Sequence, residues 1–283
     1  MTDAGRPNNE SMNATGTMPA RIEQLVRQAT GLRVRESDRE RLLQWAGERA
    51  HGLGGGGVGG AEAYCRMLTE DGDIAQHERE LLSAQFTTGE SYFFRDLGQI
   101  DLLASKLLPE LIARRAGERK LRLWSAGCAA GQEAYTLAML VHELSPRLAG
   151  WDVRILGSDI DGAALEQARR GVFGSWSFRA LDETRRQRYF HASGDQWKID
   201  PLLRAMVSFR HADLLRDRFP DAATGLEHID LILCRNVFIY LDAEAVSRIT
   251  AQFAATLDEG GYLITGHSEL FGHQIAPLRT RMF

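Results

Sequence analysis

The sequence is short of cysteine, of long apolar runs and of any excess of charge of one sign, and each shortage removes a class of protein. Its three cysteines, Cys65, Cys128 and Cys234, form no C-x-x-C pair. So sparse and odd a set makes no disulfide framework, and a reducing cytoplasm is the expected compartment. No apolar stretch approaches the ~20 residues that cross a bilayer, and residues 1–20 have neither the apolar core nor the basic start of a secretory signal. With 34 Lys and Arg against 38 Asp and Glu, a net charge of -4, the chain has no global attraction for nucleic acid. The eight histidines are scattered without ligand spacing, which leaves metal chemistry without support.

What is present is an ordinary soluble composition, 44% hydrophobic and 25% charged, in 283 residues, enough for two domains. Residues 1–19, rich in Asn, Gly, Thr and Ser, predict a disordered tail. Between residues 21 and 86, IEQLVRQATG, SDRERLLQWAGERA and AEAYCRMLTE carry apolar residues at three- and four-residue spacing and predict helices. HGLGGGGVGG, seven glycines in ten residues, lies between two of them. No strand precedes it and no Lys-Ser/Thr follows, so a connector is expected there and not a phosphate loop. Residues 102–113 predict a further helix, bridging to the second domain.

From Lys120 the pattern changes to strands alternating with helices. LRLWSA, VRILGS, MVSFRHA, DLILCR and YLITGH predict strands; residues 132–144, 162–170 and 243–257 predict helices. Such alternation implies a mostly parallel sheet covered on both faces, with ligands at the carboxyl ends of the strands. Gly127, Asp159, Asp213 and Asn236 all follow such strands. The loop between Gly127 and Gly131 leads from strand to helix, where glycine admits a ligand close to the backbone and the helix start offers unpaired N–H groups. In RILGSDID an apolar strand then ends in Asp159, an acid placed to accept ribose hydroxyls. In the loop G-C-A-A-G, Ala129 occupies the position that a dinucleotide site keeps as glycine, which disfavours a pyrophosphate and with it a nicotinamide oxidoreductase. S-adenosylmethionine carries ammonium and sulfonium charges and no phosphate, and Glu133 supplies an acid near the loop.

Two further segments stand out. TTGESYFFRD suits a segment that buries two phenylalanines while presenting Ser91 and Arg95; a helix start capped by Thr88 or Ser91 is the plainer alternative. CRNVFIYLD follows the DLIL strand and brings Arg235, Asn236 and Tyr240 to one strand end. Residues 171–205, with Phe173, Trp176, Phe178, Tyr189, Phe190 and Trp197 among charges, interrupt the alternation and predict an inserted subdomain.

GESYFFRD, SAGCAAGQEAYTLAM, SDID with ALEQARRG, CRNVFIYLD and the closing GHSE together resemble the CheR-type chemotaxis receptor methyltransferase family, over residues 22–269. The resemblance implies an all-α N-terminal domain at 20–97, a linker helix at 98–118, and a Rossmann-like α/β S-adenosylmethionine-dependent methyltransferase domain at 119–283. An inserted antiparallel β-subdomain is expected at 171–210. The implied activity is methyl transfer from S-adenosylmethionine to glutamate side chains of methyl-accepting chemotaxis receptors, giving methyl esters and S-adenosylhomocysteine. A substrate glutamate, with an ordinary pKa of about 4.3, is already ionised at neutral pH, so no general base of the Ser-His or Cys-His kind is required.

At matching positions the resemblance implies that Ser91 and Arg95 line the methionine end of the cofactor and that Glu133 contacts it beyond Gly127. Asp159 would hold the ribose, Asp213 and Leu214 the adenine, while Arg235, Asn236 and Tyr240 border the methyl-transfer centre, with Arg95 and Tyr240 nearest the chemistry. Ala129 and Ala130 depart from the usual Ser-Thr, Gln132 from an acid, Ala134 from Pro and Gly89 from Asn. These departures keep an alternative open, a catalytically weak S-adenosylmethionine-binding regulatory module. The expected partners are cytoplasmic receptor helices, met by a monomer without nucleic acid or membrane insertion. Seven arginines against five acids between residues 21 and 49 read most simply as a solvated helix face, and the resemblance makes them a candidate dock for an acidic receptor helix. The short stretch from 188 to 207 implies action without a receptor tail peptide.

Overall fold

The computed structural model describes residues 17–57 and 59–283, so the predicted tail lies, up to residue 16, outside the described residues. Internal contacts divide the chain into two units, the first comprising the chain up to Ala29 with Val34–Ala75, the second Thr30–Arg33 with Gln76–Phe283. In the first unit, α1 (Met18–Thr30), α2 (Arg39–Gly52) and α3 (Gly60–Met67) realise the predicted apolar spacing. Ile22, Val26 and Ala29 form one buried stripe and Leu42, Ala46 and Ala50 another. Trp45 meets Tyr64 edge-on at 5.6 Å. Several arginines of this unit are paired: Arg21 with Glu62 at 3.1 Å, Arg41 with Asp38 at 3.2 Å, and Arg39 with Glu23. Exposed pairs of this kind add at most about 1 kcal/mol each.

α4 (Asp73–Phe86) precedes the GESYFFRD segment. That segment does not start a helix; Phe94 and Asp96 take left-handed φ values of 57° and 65° before α5 (Leu97–Leu102) begins. A π-turn, Leu103–Leu107, joins α5 to α6 (Leu108–Arg114), so the predicted helix at 102–113 is one part of a longer run. Pro109 has no N–H to return to the carbonyl of Ser105, which accounts for the widened turn there. Ile100, Leu103, Leu107, Leu108 and Leu111 are nonetheless all buried.

The alternating part of the chain follows: β1 (Lys120–Ala126), α7 (Gln132–Glu143), β2 (Asp152–Asp159), α8 (Gly162–Arg170), β3 (Val172–Phe173), α9 (Glu183–Tyr189), β4 (Phe190–Ser193), β5 (Gln196–Ile199), α10 (Pro201–Met206), β6 (Val207–His211), β7 (Ile229–Cys234), α11 (Ala243–Thr256) and β8 (Leu257–Thr265). All five predicted strands are present. Among the described residues they form one parallel sheet in the order β6-β2-β1-β7-β8. Successive residues of β1 and β7 alternate between two cores: Leu121, Leu123, Leu231 and Leu233 pack with α7, and Trp124, Ala126, Ile232 and Cys234 pack with α11. Both faces are therefore covered, and β7 is buried along its whole length, as central parallel strands are. Strand order reverses between β1 and β7, so the crevice above their carboxyl ends is the expected ligand position.

The predicted insertion is a small antiparallel sheet, β3-β5-β4, with Phe173 opposite Trp197 and Phe190 opposite Ile199. Phe93 of the GESYFFRD segment is fully buried against its aromatics, 4.8 Å from Phe173, 5.3 Å from Phe178 and 4.9 Å from Phe190. The insertion thus fixes one ring of the segment, leaving Ser91 and Arg95 only partly covered.

Candidate active site

Every residue that the sequence singles out for the site lines one cavity of about 250 Å³ in the second unit: Ser91, Arg95, Gly127, Glu133, Asp159, Asp213, Leu214, Arg235, Asn236 and Tyr240. The walls come from the carboxyl ends of β1, β2 and β7, from the segment after β6, and from the stretch between α4 and α5.

At the floor, the turn after β1 is held by main-chain bonds from Gly127 and Cys128 to the carbonyl of Ser158, at 2.8 and 2.9 Å. Gly127 has φ +76°, and a Cβ placed there would lie 2.4 Å from Cγ2 of Val237. Only glycine serves at this point, because both the backbone and the approach of the β7 turn require it. Asp159 accepts N–H bonds from Ala129 at 2.7 Å and Asp161 at 2.9 Å, one on each oxygen. Ala129, the residue in place of the second glycine, has φ +48° and aims its N–H at this acid. Each oxygen of Asp159 keeps a lone pair for a ligand hydroxyl. Burial raises its pKa, opposed by the two N–H bonds.

Glu133 opens α7. It accepts from Ser125 Oγ at 2.7 Å and faces Arg235 Nη1 at 3.4 Å. Burial pushes its pKa up, with the Arg235 charge and the Ser125 bond pulling the other way. Arg235, only 3% exposed at its side chain, also donates to the carbonyl of Arg95 at 2.6 Å and lies 3.9 Å from Asp96. It ties Glu133 to the backbone of the GESYFFRD segment. Arg95 itself donates to the carbonyl of Glu90 at 3.0 Å. Asp213 accepts from Leu215 and Arg216 N–H at 2.9 and 3.2 Å, and burial raises its pKa as well. Tyr240 donates its hydroxyl to the carbonyl of Thr88 at 3.3 Å, linking the turn after β7 to the segment after α4.

One residue with a clear role was quoted in the sequence only as part of GHSE. Glu269 is 8% exposed and its carboxylate accepts N–H bonds from Asn236 at 2.9 Å, Ile239 at 3.2 Å and Gly266. It holds Asn236 at φ +61° and with it the turn that carries Tyr240. Its acidic type beside glycine was the available signal, but the turn it serves lies some thirty residues upstream. Gln132, another departure from the family pattern, is buried and donates to Ser177 Oγ at 3.4 Å.

The charged lining comprises Glu90, Glu133, Asp159, Asp161 and Asp213 against Arg95 and Arg235. With Arg235 turned toward Glu133, the excess is strongly acidic. Such a cavity suits a cationic, hydroxyl-bearing group and opposes a pyrophosphate. The three buried cysteines include Cys128 and Cys234 near this floor, and burial raises both thiols, so neither is an activated nucleophile. Among the described residues no cluster of His, Cys, Asp and Glu is arranged to hold a metal.

Comparison with known proteins gives a concordant picture. A family model described as CheR methyltransferase, SAM binding domain, matches residues 89–280. Chemotaxis protein methyltransferase 1 of Pseudomonas aeruginosa is 37% identical over 213 residues, covering 74% of this chain and 74% of its own. Chemotaxis protein methyltransferase Cher2 of Pseudomonas putida is 36% identical over 68% of this chain and 69% of its own. A probable chemotaxis protein methyltransferase of Rhizobium etli is 32% identical over 75% of this chain and 78% of its own.

Proposed function

The chain belongs to the CheR methyltransferase family, with its S-adenosylmethionine-binding domain at residues 89–280, and from that premise we propose that it methylates glutamate side chains of chemoreceptors. The observation that supports this reading best is the convergence of the expected residues on a single acid-lined cavity at the strand-order switch. When bound, S-adenosylmethionine supplies a methyl group on a sulfonium, a good leaving group. Asp159 would accept the ribose hydroxyls, Asp213 and Leu214 would border the adenine, and Ser91 and Glu133 would face the methionine end. Arg95, one face of its guanidinium over the Tyr92 ring at 5.5 Å, draws the substrate carboxylate inward. Tyr240 orients a carboxylate oxygen by redirecting the hydroxyl it now gives to Thr88.

A carboxylate oxygen attacking the methyl carbon as the carbon–sulfur bond breaks yields a methyl ester and S-adenosylhomocysteine, and no proton moves. The reaction gains from alignment and exclusion of water, toward which the apolar lining by Leu137, Leu233 and Ile239 contributes. The loop departures leave Glu133 and Asp159 in place, and the regulatory-module alternative receives no support from them. The substrate is met in the cytoplasm, on receptor helices, by a monomer; among the described residues no helix is long and apolar enough to cross a membrane.

The test is transfer of labelled methyl from S-adenosylmethionine to a purified cytoplasmic chemoreceptor fragment, followed by peptide mapping. Base-labile label on glutamate, lost when that glutamate is changed to Gln, is expected. Label that survives base, or none on any receptor fragment, would overturn the assignment.

A further inference from the structure

Beside the cavity, against its lining residues Glu90 and Tyr92, stand an arginine and a tryptophan that the chemistry above leaves unused. Arg179, just after the short 3₁₀ turn Ser175–Phe178 of the insertion, lies between two rings, 3.5 Å from the Tyr92 centroid and 4.3 Å from that of Trp176. Its Nη2 donates to Glu90 Oε1 at 2.6 Å and its Nη1 to the carbonyl of Trp176 at 3.1 Å. Trp176 Nε1 donates to the same Glu90 oxygen at 3.3 Å, while the residue remains 65% exposed. Glu90 and Tyr92 both line the cavity, and the carbonyl of Glu90 is the group that holds Arg95.

A lone exposed tryptophan is unremarkable on a protein surface. Here, however, its ring is held by the Arg179 guanidinium and the Glu90 carboxylate, and Glu90 belongs to a cavity lining that is acidic. That lining suits a cationic cofactor but repels an incoming carboxylate. Glu90 is a half-exposed acid of this lining, and Arg179 pairs with its charge. The charge that an approaching glutamate meets is then Arg95, with a rigid aromatic edge beside it.

Building on the activity proposed above, we infer that Tyr92, Arg179 and Trp176 form the substrate-side edge of the site. The edge receives the acidic polypeptide that flanks the methyl-accepting glutamate: Trp176 packs on that chain, and Arg179 masks Glu90 so that the carboxylate can enter toward Arg95. Aromatic anchors of this kind dominate docking energies, and charge masking at a rim acts on encounter.

The test compares the parent with Trp176→Ala, Arg179→Ala and Arg179→Ala/Glu90→Gln; the two single variants are checked for an unaltered melting profile and S-adenosylhomocysteine Kd, and the double variant is assayed at saturating S-adenosylhomocysteine because it lacks an acid of the lining. Calorimetry measures binding of an acidic chemoreceptor fragment with S-adenosylhomocysteine present, and labelled transfer measures KM. Trp176→Ala is expected to weaken fragment binding about tenfold, as loss of one aromatic anchor does, with the loss carried by KM. Arg179→Ala should weaken it similarly, and adding Glu90→Gln should recover part of the loss. If the parent binds no fragment, or the Trp176→Ala and Arg179→Ala proteins bind it within twofold of the parent, the inference is overturned; if Arg179→Ala unfolds, Trp176→Ala decides. Fragment binding without methyl transfer would instead sink the assigned reaction and leave the docking edge standing.

Discussion

At the scale of single residues, the site rests on carboxylates with fixed main-chain partners. Asp159 receives one N–H on each oxygen, so Asp159→Asn keeps one acceptor and turns a second position into a donor facing a donor. A buried unsatisfied pair costs about 1–3 kcal/mol, and a ligand that also needs those lone pairs should bind about tenfold or more weakly. Calorimetry with S-adenosylhomocysteine checks this, and an unchanged Kd would remove Asp159 from the ribose role. Glu269→Gln keeps one acceptor, enough for Asn236 and Gly266, and sets an amide donor against the N–H of Ile239, or the reverse. A loss of about 1–3 kcal/mol in stability is expected on chemical denaturation, with turnover falling because the Tyr240 turn is released; Glu269→Asp should be milder. The acids also set a pH dependence. Burial raises the pKa values of Glu133, Asp159 and Asp213, so their folded-state values lie above the unfolded ones. Ionising them costs folding stability as pH rises through the unfolded carboxylate range, and that cost is absent below it. Binding that uses the ionised form strengthens as pH rises through the folded-state values. S-adenosylhomocysteine affinity should therefore begin to fall on acidification at a pH above the ordinary carboxylate range, and a decline confined to that ordinary range would contradict it.

At the scale of elements, the turn after β1 is the part least able to change. Gly127→Ala puts a side chain on a left-handed residue, which costs about 1–2 kcal/mol, and drives Cβ to 2.4 Å from Val237 Cγ2. Denaturation should show a loss of at least that size together with weaker S-adenosylhomocysteine binding. Gly127→Ala/Val237→Ala should regain the part due to the clash, while the backbone part persists; a double variant no better than the single one would mean that Val237 is not the obstacle. Elements of this kind were legible in the sequence because their signals are local. The five strands alternate or run apolar, α8 covers residues 162–170 as expected, and α7 and α11 end one residue short of the predicted ends. The π-turn was not legible, since the apolar spacing of residues 97–114 survives it and only Pro109 marks the place. Nor was the left-handed path through Phe94 and Asp96, beside the Phe93 pocket that the insertion builds eighty or more residues away. The residues Arg235 and Glu133 could be named from their motifs, but their mutual contact and the bond from Arg235 to the carbonyl of Arg95 required the fold.

At the scale of the whole molecule, a net charge of -4 gave no hint that the acids concentrate where the cofactor is expected. Distribution, not total, carries the function, and it becomes visible only when the strand ends converge. The division of the chain into two units has a further consequence for ligand linkage. Every lining residue of the cavity, from Thr30 and Leu32 to Ile249, belongs to the second unit. A ligand that binds only the native form stabilises it by about 2.7 kcal/mol at a hundredfold excess over Kd. S-adenosylhomocysteine at that excess should raise the melting temperature, whereas NAD, with its pyrophosphate, should not. Hydrogen exchange locates the effect. Added protection is expected in the segments around Ser91, Gly127, Asp159, Asp213 and Arg235, because ordering the cavity suppresses the local openings that expose their amides. The amides of α2 and α3 carry no lining residue and should exchange at unchanged rates. Protection spread equally over those helices would mean that the two units respond to the ligand as one body, and that the cofactor's influence reaches the arginine-bearing helices directly.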